Sequence, residues 1–193
     1  MKRTISLVIC ILLSVVSSYA GDKVSFSFLM GETSLSYVVD WSNMTINGLG
    51  KSDWIERRNA EQPDYDAEKE YESELLPRIN DFVAKANAEM ENVNLFLSAK
   101  AGHKYTVYLY PQNIKSNGDN TIECAIKETA TGKTMVEFVV NGRGGTFGSM
   151  SNLWGDGMRS SGKKFGKFIC KHLGYDPSIK DKIDDVFSRV GIK

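Results

Sequence analysis

The spacing of apolar residues changes along this chain, and the change limits the folds that the chain can adopt. In several stretches apolar residues alternate with polar ones, which is typical of strands with one face in a core. In others they recur every three or four positions, as in amphipathic helices. The predicted strands are residues 24–28, 35–41, 95–97, 104–110, 120–127 and 134–140, and the predicted helices are residues 67–90, 150–173 and 179–190.

The order of these elements predicts an α+β fold. Two strands precede the first helix, about four strands follow it, and two helices end the chain. Short connections join neighbouring strands, with Gly31 between residues 24–28 and 35–41 and Gly132 between residues 120–127 and 134–140. We therefore expect a mainly antiparallel sheet of about five to six strands with helices packed on one face, a two-layer sandwich.

Two places in this scheme leave alternatives open. Pro77 lies inside the helix predicted for residues 67–90, so either the helix is kinked there or its regular part begins near Leu76. Ser52 and the residues after it fit a short capped helical turn within the polar segment 43–66. No internal repeat or low-complexity tract interrupts the pattern.

Residues 1–20 have the pattern of an export signal. Two basic residues near the start precede an apolar run that ends at Val16, and residues 18–20 form a small-x-small cleavage pattern. The run is shorter than the ~20 apolar residues that a membrane-spanning helix needs. We expect cleavage after Ala20, a mature chain that begins at Gly21, and a periplasmic or secreted location.

Cys10 raises one alternative, because a lipid-modified cysteine would anchor the chain to a membrane. Ile9 is bulky where such signals have a small residue, and the apolar run continues past Cys10, so the context disfavours lipidation. After cleavage about 173 residues remain, which suits one domain. We expect residues 21–193 to form a single α+β domain, with residues 175–193 as a C-terminal helical extension.

The charge balance disfavours polyanionic partners. The whole chain has 24 basic and 24 acidic side chains. Two of the basic ones lie in the leader, so the mature chain carries a small negative charge. Without a basic excess, neither nucleic acid nor an anionic membrane is an expected partner.

Two cysteines remain after cleavage. Cys124 alternates with Ile122 and Ile126 and is expected to share their apolar strand face. Cys170 falls away from the apolar stripe of its helix. An exported location permits a disulfide, but the spacing leaves open whether Cys124 and Cys170 are paired.

Few residues suit catalysis or cofactor binding. His103 and His172 are the two histidines, neither has a metal-ligand spacing, and a Cys124–His103 pair is a weak candidate nucleophile. Acidic residues crowd positions 64–74, but Lys69 stands where a calcium loop needs glycine, so we expect them to complement a helix start. We expect no enzyme and no catalytic, cofactor-binding or metal-binding residue.

The glycine loop, residues 142–148, is the segment that comes nearest to a ligand site. It follows a strand and opens a helix, where a phosphate can bind free backbone N–H groups. However, Phe147 stands in place of the third glycine of a G-x-G-x-x-G frame, and no P-loop lysine follows. We interpret the loop as a turn that needs glycine for positive φ and close packing.

The helix predicted for residues 150–173 has two unusual sides. Gly155, Gly162 and Gly166 lie near one edge of its apolar stripe, and each costs up to about 1 kcal/mol of helix propensity. We expect close approach to the sheet or to another helix there. The opposite side is basic and contains Lys163, Lys164, Lys167 and Lys171. It is a solvated surface, or one for an acidic partner or lipid headgroups.

Residues 144–168 carry a recognisable progression, Gly-Gly-x-Phe-Gly-Ser, then Asn-Leu, Asp-Gly, Gly-Lys and Gly-Lys-Phe. This progression resembles a family of uncharacterised exported proteins of Bacteroidetes, as do residues 39–48 and 131–133. The arrangement is similar, more distantly, to small periplasmic α/β domains of envelope proteins such as the N-terminal domain of TolB. The resemblance implies location and fold, and it supplies no catalytic residue.

One functional expectation and one alternative follow. We expect a non-enzymatic, exported cell-envelope protein that binds or assembles with another envelope component. The alternative is a small periplasmic hydrolase or ligand-binding enzyme with a site near Gly142–Ser149. We expect no nucleic acid partner and no transmembrane segment, while the partner, the ligand and the oligomeric state stay open.

Overall fold

The computed structural model of the protein describes residues 25–175. The predicted leader with Cys10 and the predicted helix at residues 179–190 lie outside this range. The described part has an α+β fold, as predicted, with helices packed against a six-stranded mixed sheet.

The strands form one continuous sheet. They are β1 (Ser34–Val39), β2 (Thr45–Ile46), β3 (Phe96–Ser98), β4 (Tyr105–Ile114), β5 (Asn120–Glu128) and β6 (Thr134–Gly142). Their order is β3-β1-β4-β5-β6, and β2 also pairs with β4. The β4, β5 and β6 ladders are antiparallel, as predicted. β1 pairs in parallel with β3 and β4, and β2 pairs in parallel with β4, so the sheet is mixed.

Four α-helices accompany the sheet within residues 25–175. They are α1 (Lys51–Glu61), α2 (Ala67–Glu70), α3 (Ile79–Met90) and α4 (Met150–His172). α1 is longer than the short turn predicted at Ser52. Trp54 explains the length, because it is buried and its ring packs 6.2 Å from that of Tyr71.

The chain between α2 and α3 stays helical but changes type. A π-helical turn at Tyr71–Leu75 is followed by a 3-10 turn at Leu76–Arg78. Pro77 has no N–H to donate to the preceding turn, which accounts for the irregularity. The regular helix therefore begins just after Pro77, at Ile79.

The predicted hairpin between residues 24–28 and 35–41 is wrong. β1 lies inside the sheet with β3 on one edge and β4 on the other, so it has no free edge for a third strand. Ser27–Leu29 form a 3-10 turn instead. Phe26 is buried, with its ring 5.7 Å from that of Phe168 on α4. The alternation there reflects burial against α4 and not a strand.

The core lies between the sheet and the helices. Inward strand positions are almost fully buried, among them Val107, Leu109, Ile122, Ile126, Val136 and Val140. α4 packs on β5 and β6, and α3 packs on α4. Trp154 and Phe165 of α4 fill the space above the sheet and are fully buried. One face of the sheet thus supplies the core.

Glycine brings the backbone of α4 against that of α3. A Cβ atom at Gly162 would overlap the carbonyl oxygen of Phe82. A Cβ atom at Gly166 would lie 2.7 Å from the carbonyl oxygen of Ala86. Backbone atoms inside a helix cannot move aside cheaply, so the expected close approach is confirmed at both positions.

Both described cysteines are free and buried. Cys124 shares the inward face of β5 with Ile122 and Ile126, as predicted. Cys170 is also buried, contrary to the prediction, and its thiol donates to the Glu89 carbonyl oxygen at 3.2 Å. The reason is that α4 is covered on two sides, by the sheet and by α3.

Alanine substitution tests the contact between α3 and α4. Gly162→Ala and Gly166→Ala should each lower the free energy of unfolding by roughly 1–3 kcal/mol through overpacking, despite a gain of about 1 kcal/mol in helix propensity. Urea unfolding followed by circular dichroism measures the change.

Gly155→Ala is the matched control in the same helix. A Cβ atom there meets only side-chain atoms, at 3.0 Å or more, which can shift. We expect this variant to be as stable as the parent or more stable. Equal stability of all three variants would contradict the close-packed contact.

Candidate functional site

Two backbone N–H groups of the glycine loop are hydrogen-bonded within the protein. The Gly144 N–H donates to Oδ1 of Asp119 at 2.9 Å, and the Arg143 N–H donates to the Ser160 hydroxyl at 3.0 Å. A phosphate bound on this loop needs such N–H groups free. The Arg143 and Gly144 N–H groups are therefore not available to a phosphate.

The charge beside the loop also disfavours phosphate binding. The Gly144 N–H and the Asn117 side-chain amide both donate to the Asp119 carboxylate, and these bonds lower the pKa of Asp119. The carboxylate is thus ionised at neutral pH. It would repel an anion placed beside it.

Packing explains the glycines of this loop. A Cβ atom at Gly144 would overlap the carbonyl oxygen of Asn117, and one at Gly142 would overlap that of Gly157. Gly148 has a φ of +130°, a region that favours glycine. The interpretation of the loop as a close-packed turn is confirmed in these two respects.

The candidate nucleophile and histidines do not form a catalytic group in the described residues. Cys124 lies in the core, and burial raises the pKa of its thiol, so the reactive thiolate is disfavoured. His172 lies at the end of α4, with Nδ1 2.8 Å from the Phe168 carbonyl oxygen. His103 precedes β4, and its backbone N–H donates to the Ser36 hydroxyl. Within residues 25–175, no three His, Cys, Asp or Glu side chains are grouped to hold a metal ion.

The acidic residues of positions 64–74 support helix starts and ion pairs. Asp66 caps α2, because its Oδ1 accepts the Lys69 N–H at 2.9 Å. Glu70 is buried and pairs with Arg58 at 3.4 Å. The expected role at a helix start is confirmed for Asp66.

The basic side of α4 is exposed, as predicted. It consists of Lys163, Lys164, Lys167 and Lys171. None of these four side chains forms a salt bridge with a carboxylate of residues 25–175. Lys164 is engaged otherwise, since its Nζ donates to the Asn141 carbonyl oxygen of β6 at 2.6 Å.

The face of the sheet opposite the helices is open except at one end, where the outward Ser36 and Thr106 are buried and their hydroxyls bond the Lys100 carbonyl oxygen and the Thr129 hydroxyl. We call it the open sheet face, and its outward side chains are Val38, Tyr108, Tyr110, Glu123, Ala125, Lys127, Glu137 and Val139. Val38 and Val139 expose 46% and 54% of their surface. The two valines lie three strands apart, with Tyr108, Tyr110 and Ala125 on the strands between them.

Strand register produces a depression in the open sheet face. Direct cross-strand neighbours form two rows, Tyr110–Glu123–Val139 and Tyr108–Ala125–Glu137. Ala125 has the smallest side chain of the six, so the surface dips above it. The resulting cavity has a volume of about 260 Å³. We call it the Ala125 depression.

Two carboxylates border the Ala125 depression without a basic partner. Neither Glu123 nor Glu137 forms a salt bridge within residues 25–175, and Glu123 accepts a 3.4 Å hydrogen bond from Gln112. Lys127, a cation of this face, lies over the Tyr108 ring with Nζ 4.8 Å from its centroid and donates to the Tyr110 hydroxyl at 3.5 Å. The depression therefore combines negative charge with an aromatic wall, which suits a cation.

The sequence pattern predicts the inward faces of the strands but not this surface. Tyrosine and valine are common in strands, so nothing in the residue types distinguishes Tyr108, Tyr110 and Val139. The available signal is their position, because they alternate with the core residues of the same strands and so point to the other face.

Comparison with known proteins assigns the chain to no family. No protein-family model matches the chain, and no curated protein is significantly similar to it. The resemblance to exported Bacteroidetes proteins stays a prediction. No helix within residues 25–175 has the length and apolar character needed to cross a membrane.

Several solved structures resemble the chain weakly. A crystal structure of an uncharacterised protein is 13% identical, with a TM-score of 0.32, and the match covers 46% of this chain but only 61% of that one. A PelC dodecamer from Paraburkholderia phytofirmans is 8% identical over 69% of this chain and 85% of that one, with a TM-score of 0.34. The LpoB C-terminal domain from Salmonella enterica is 14% identical over 60% and 89%, with a TM-score of 0.23. These scores carry no argument about function.

Phosphate ligands test the glycine loop directly. ATP, GTP and NAD at millimolar concentration should leave the Tm of the purified protein unchanged, because the Arg143 and Gly144 N–H groups are bonded and the Asp119 carboxylate is ionised. A ligand at 100 times its Kd would add about 2.7 kcal/mol of stability, which a thermal melt detects readily. An upward shift of several degrees that Arg143→Ala abolishes would show that this loop binds phosphate after all.

Proposed function

We propose that this protein is a non-enzymatic, exported cell-envelope protein that acts as a binding or assembly module through its open sheet face. One observation carries the proposal. Val38 and Val139 are exposed on the sheet face opposite the helices, beside the half-buried Tyr108 and Tyr110, and no described element covers the two valines. The export assignment rests on the leader pattern of residues 1–20.

Folding alone does not account for these side chains. The helices cover the inward face of the sheet and complete the core there. Full burial of one aliphatic or aromatic side chain contributes about 1.5–3 kcal/mol, and Val38 and Val139, which are about half exposed, leave about half of that gain unused in the isolated chain. A partner that covers the open sheet face recovers part of it. Tyrosine is enriched at the centres of such interfaces, and both tyrosines lie beside the depression.

The alternative function has less support in the structure. A hydrolase or ligand-binding enzyme near Gly142–Ser149 needs backbone donors or titratable groups that are free to meet a substrate. In that loop the Arg143 and Gly144 N–H groups are bonded to Ser160 and Asp119. Phe147 is 91% exposed at the loop surface and encloses nothing.

Site-specific photocrosslinking tests the proposed function in cells that express the chain with its leader. A photoreactive phenylalanine analogue replaces Val139 on the open sheet face, and the same analogue replaces Glu56 on the exposed side of α1 as the control. We expect discrete protein adducts from position 139 and none from position 56. Tyr110→Ala should reduce the adducts, because it removes one wall of the depression.

Two results would contradict the proposal. One is the absence of adducts at position 139, and the other is an equal yield at positions 139 and 56, which marks nonspecific contact. Mass spectrometry of the adducts identifies the captured protein. An activity that loop variants abolish would favour the enzyme alternative.

A further inference from the structure

We propose that the partner of the open sheet face is a second copy of this chain, which inserts basic side chains of α4 into the Ala125 depression. The basic residues are Lys163, Lys167 and Lys171, which we call the lysine stripe. The inference rests on the proposed function and names its partner. Because α4 lies on the other side of the sheet, the two copies meet head to tail.

The Ala125 depression provides sites for two cations. Glu123 and Glu137 occupy diagonal positions on β5 and β6, where Cβ atoms are about 7–8 Å apart. Neither carboxylate has a salt-bridge partner in the described part of the chain. Tyr110 and Val139 flank them and offer apolar surface to the stem of an incoming side chain. The depression therefore fits a pair of lysine side chains.

The lysine stripe provides cations at a matching spacing. Its members lie four residues apart on one side of α4, so consecutive Cβ atoms are about 6 Å apart. All three are exposed, and none pairs with a carboxylate of residues 25–175. Lys164 is not part of the stripe, because its ammonium group already binds the Asn141 carbonyl oxygen. Two consecutive lysines thus reach both carboxylates.

The charge balance of the chain favours association between copies over capture of a strongly charged partner. The mature chain carries only a small negative charge, since two of the 24 basic side chains lie in the predicted leader, so copies repel one another only weakly at long range. The Ala125 depression is negative and the lysine stripe is positive, and every copy of the chain carries both surfaces. Each bound copy still offers a free stripe or a free depression. A head-to-tail contact of this kind closes into a ring or extends into a filament.

Charge reversal tests the inference on the purified mature chain by sedimentation velocity. The wild-type chain should associate in low salt and dissociate toward 1 M salt, where the Debye length falls to about 3 Å. Glu123→Lys with Glu137→Lys should give a monomer, and so should Lys163→Glu with Lys167→Glu. An equimolar mixture of these two variants should associate again, because each altered surface then meets its complement.

Glu56→Lys with Glu91→Lys is the matched control. Both carboxylates are exposed, lie away from the sheet and form no salt bridge in the described residues. This variant should associate like the wild type. Failure of the mixed variants to associate, or association of each variant alone, would overturn the head-to-tail contact.

Carbodiimide crosslinking of a mixture of unlabelled and 15N-labelled chains identifies the segment that binds in the Ala125 depression. We expect amide links between Glu123 or Glu137 and the lysine stripe in peptide pairs of mixed isotope content. Links from these glutamates to residues 176–193 of the same molecule would show that the chain covers its own open sheet face. A monomeric wild type that still gives adducts to another protein at position 139 would refute self-association and leave the binding function standing.

Discussion

The contact between the backbones of α3 and α4 is the interaction on which the rest of the structure depends. Gly162 and Gly166 let α4 approach the carbonyl oxygens of Phe82 and Ala86. The two helices therefore form one thin layer that covers the inward face of the sheet. This layer, together with buried residues such as Phe26, Trp54 and Tyr71, completes the core on the inward face, so most of the other face of the sheet is left uncovered and available for a partner.

The same demand for close packing explains the glycine loop. Gly142 meets the Gly157 carbonyl oxygen of α4, and Gly144 meets that of Asn117 before β5. The Asp119 carboxylate then accepts the Gly144 N–H and holds the loop in place. A segment that resembles a phosphate site in sequence is thus a junction between the sheet and α4. Its glycines are required for close packing, so the open sheet face is the better candidate for a functional surface.

The sequence predicts the features set by neighbouring residues well, and it predicts contacts between residues far apart in the chain poorly. The ladders of β4, β5 and β6 follow from alternation and short turns, and the glycine edge of α4 follows from helical spacing. The pairing of β1 with β3 and β4 joins residues 60 or more positions apart, and alternation does not encode such a partner. Burial of Cys170 depends on α3 covering α4, which is a tertiary contact. The sequence does not predict the open sheet face, because the residues around the outward Val139 alternate in the same way as those around an inward valine.

The central claim is that the open sheet face of one copy binds the lysine stripe of a second copy. Backbone 1H–15N correlation spectra of the mature chain over a dilution series at low salt test it most directly. The account predicts concentration-dependent shifts confined to the outward residues of β4, β5 and β6 and to residues 163–171 of α4. Spectra that do not change at these residues, or changes that centre on residues 142–148, would contradict it.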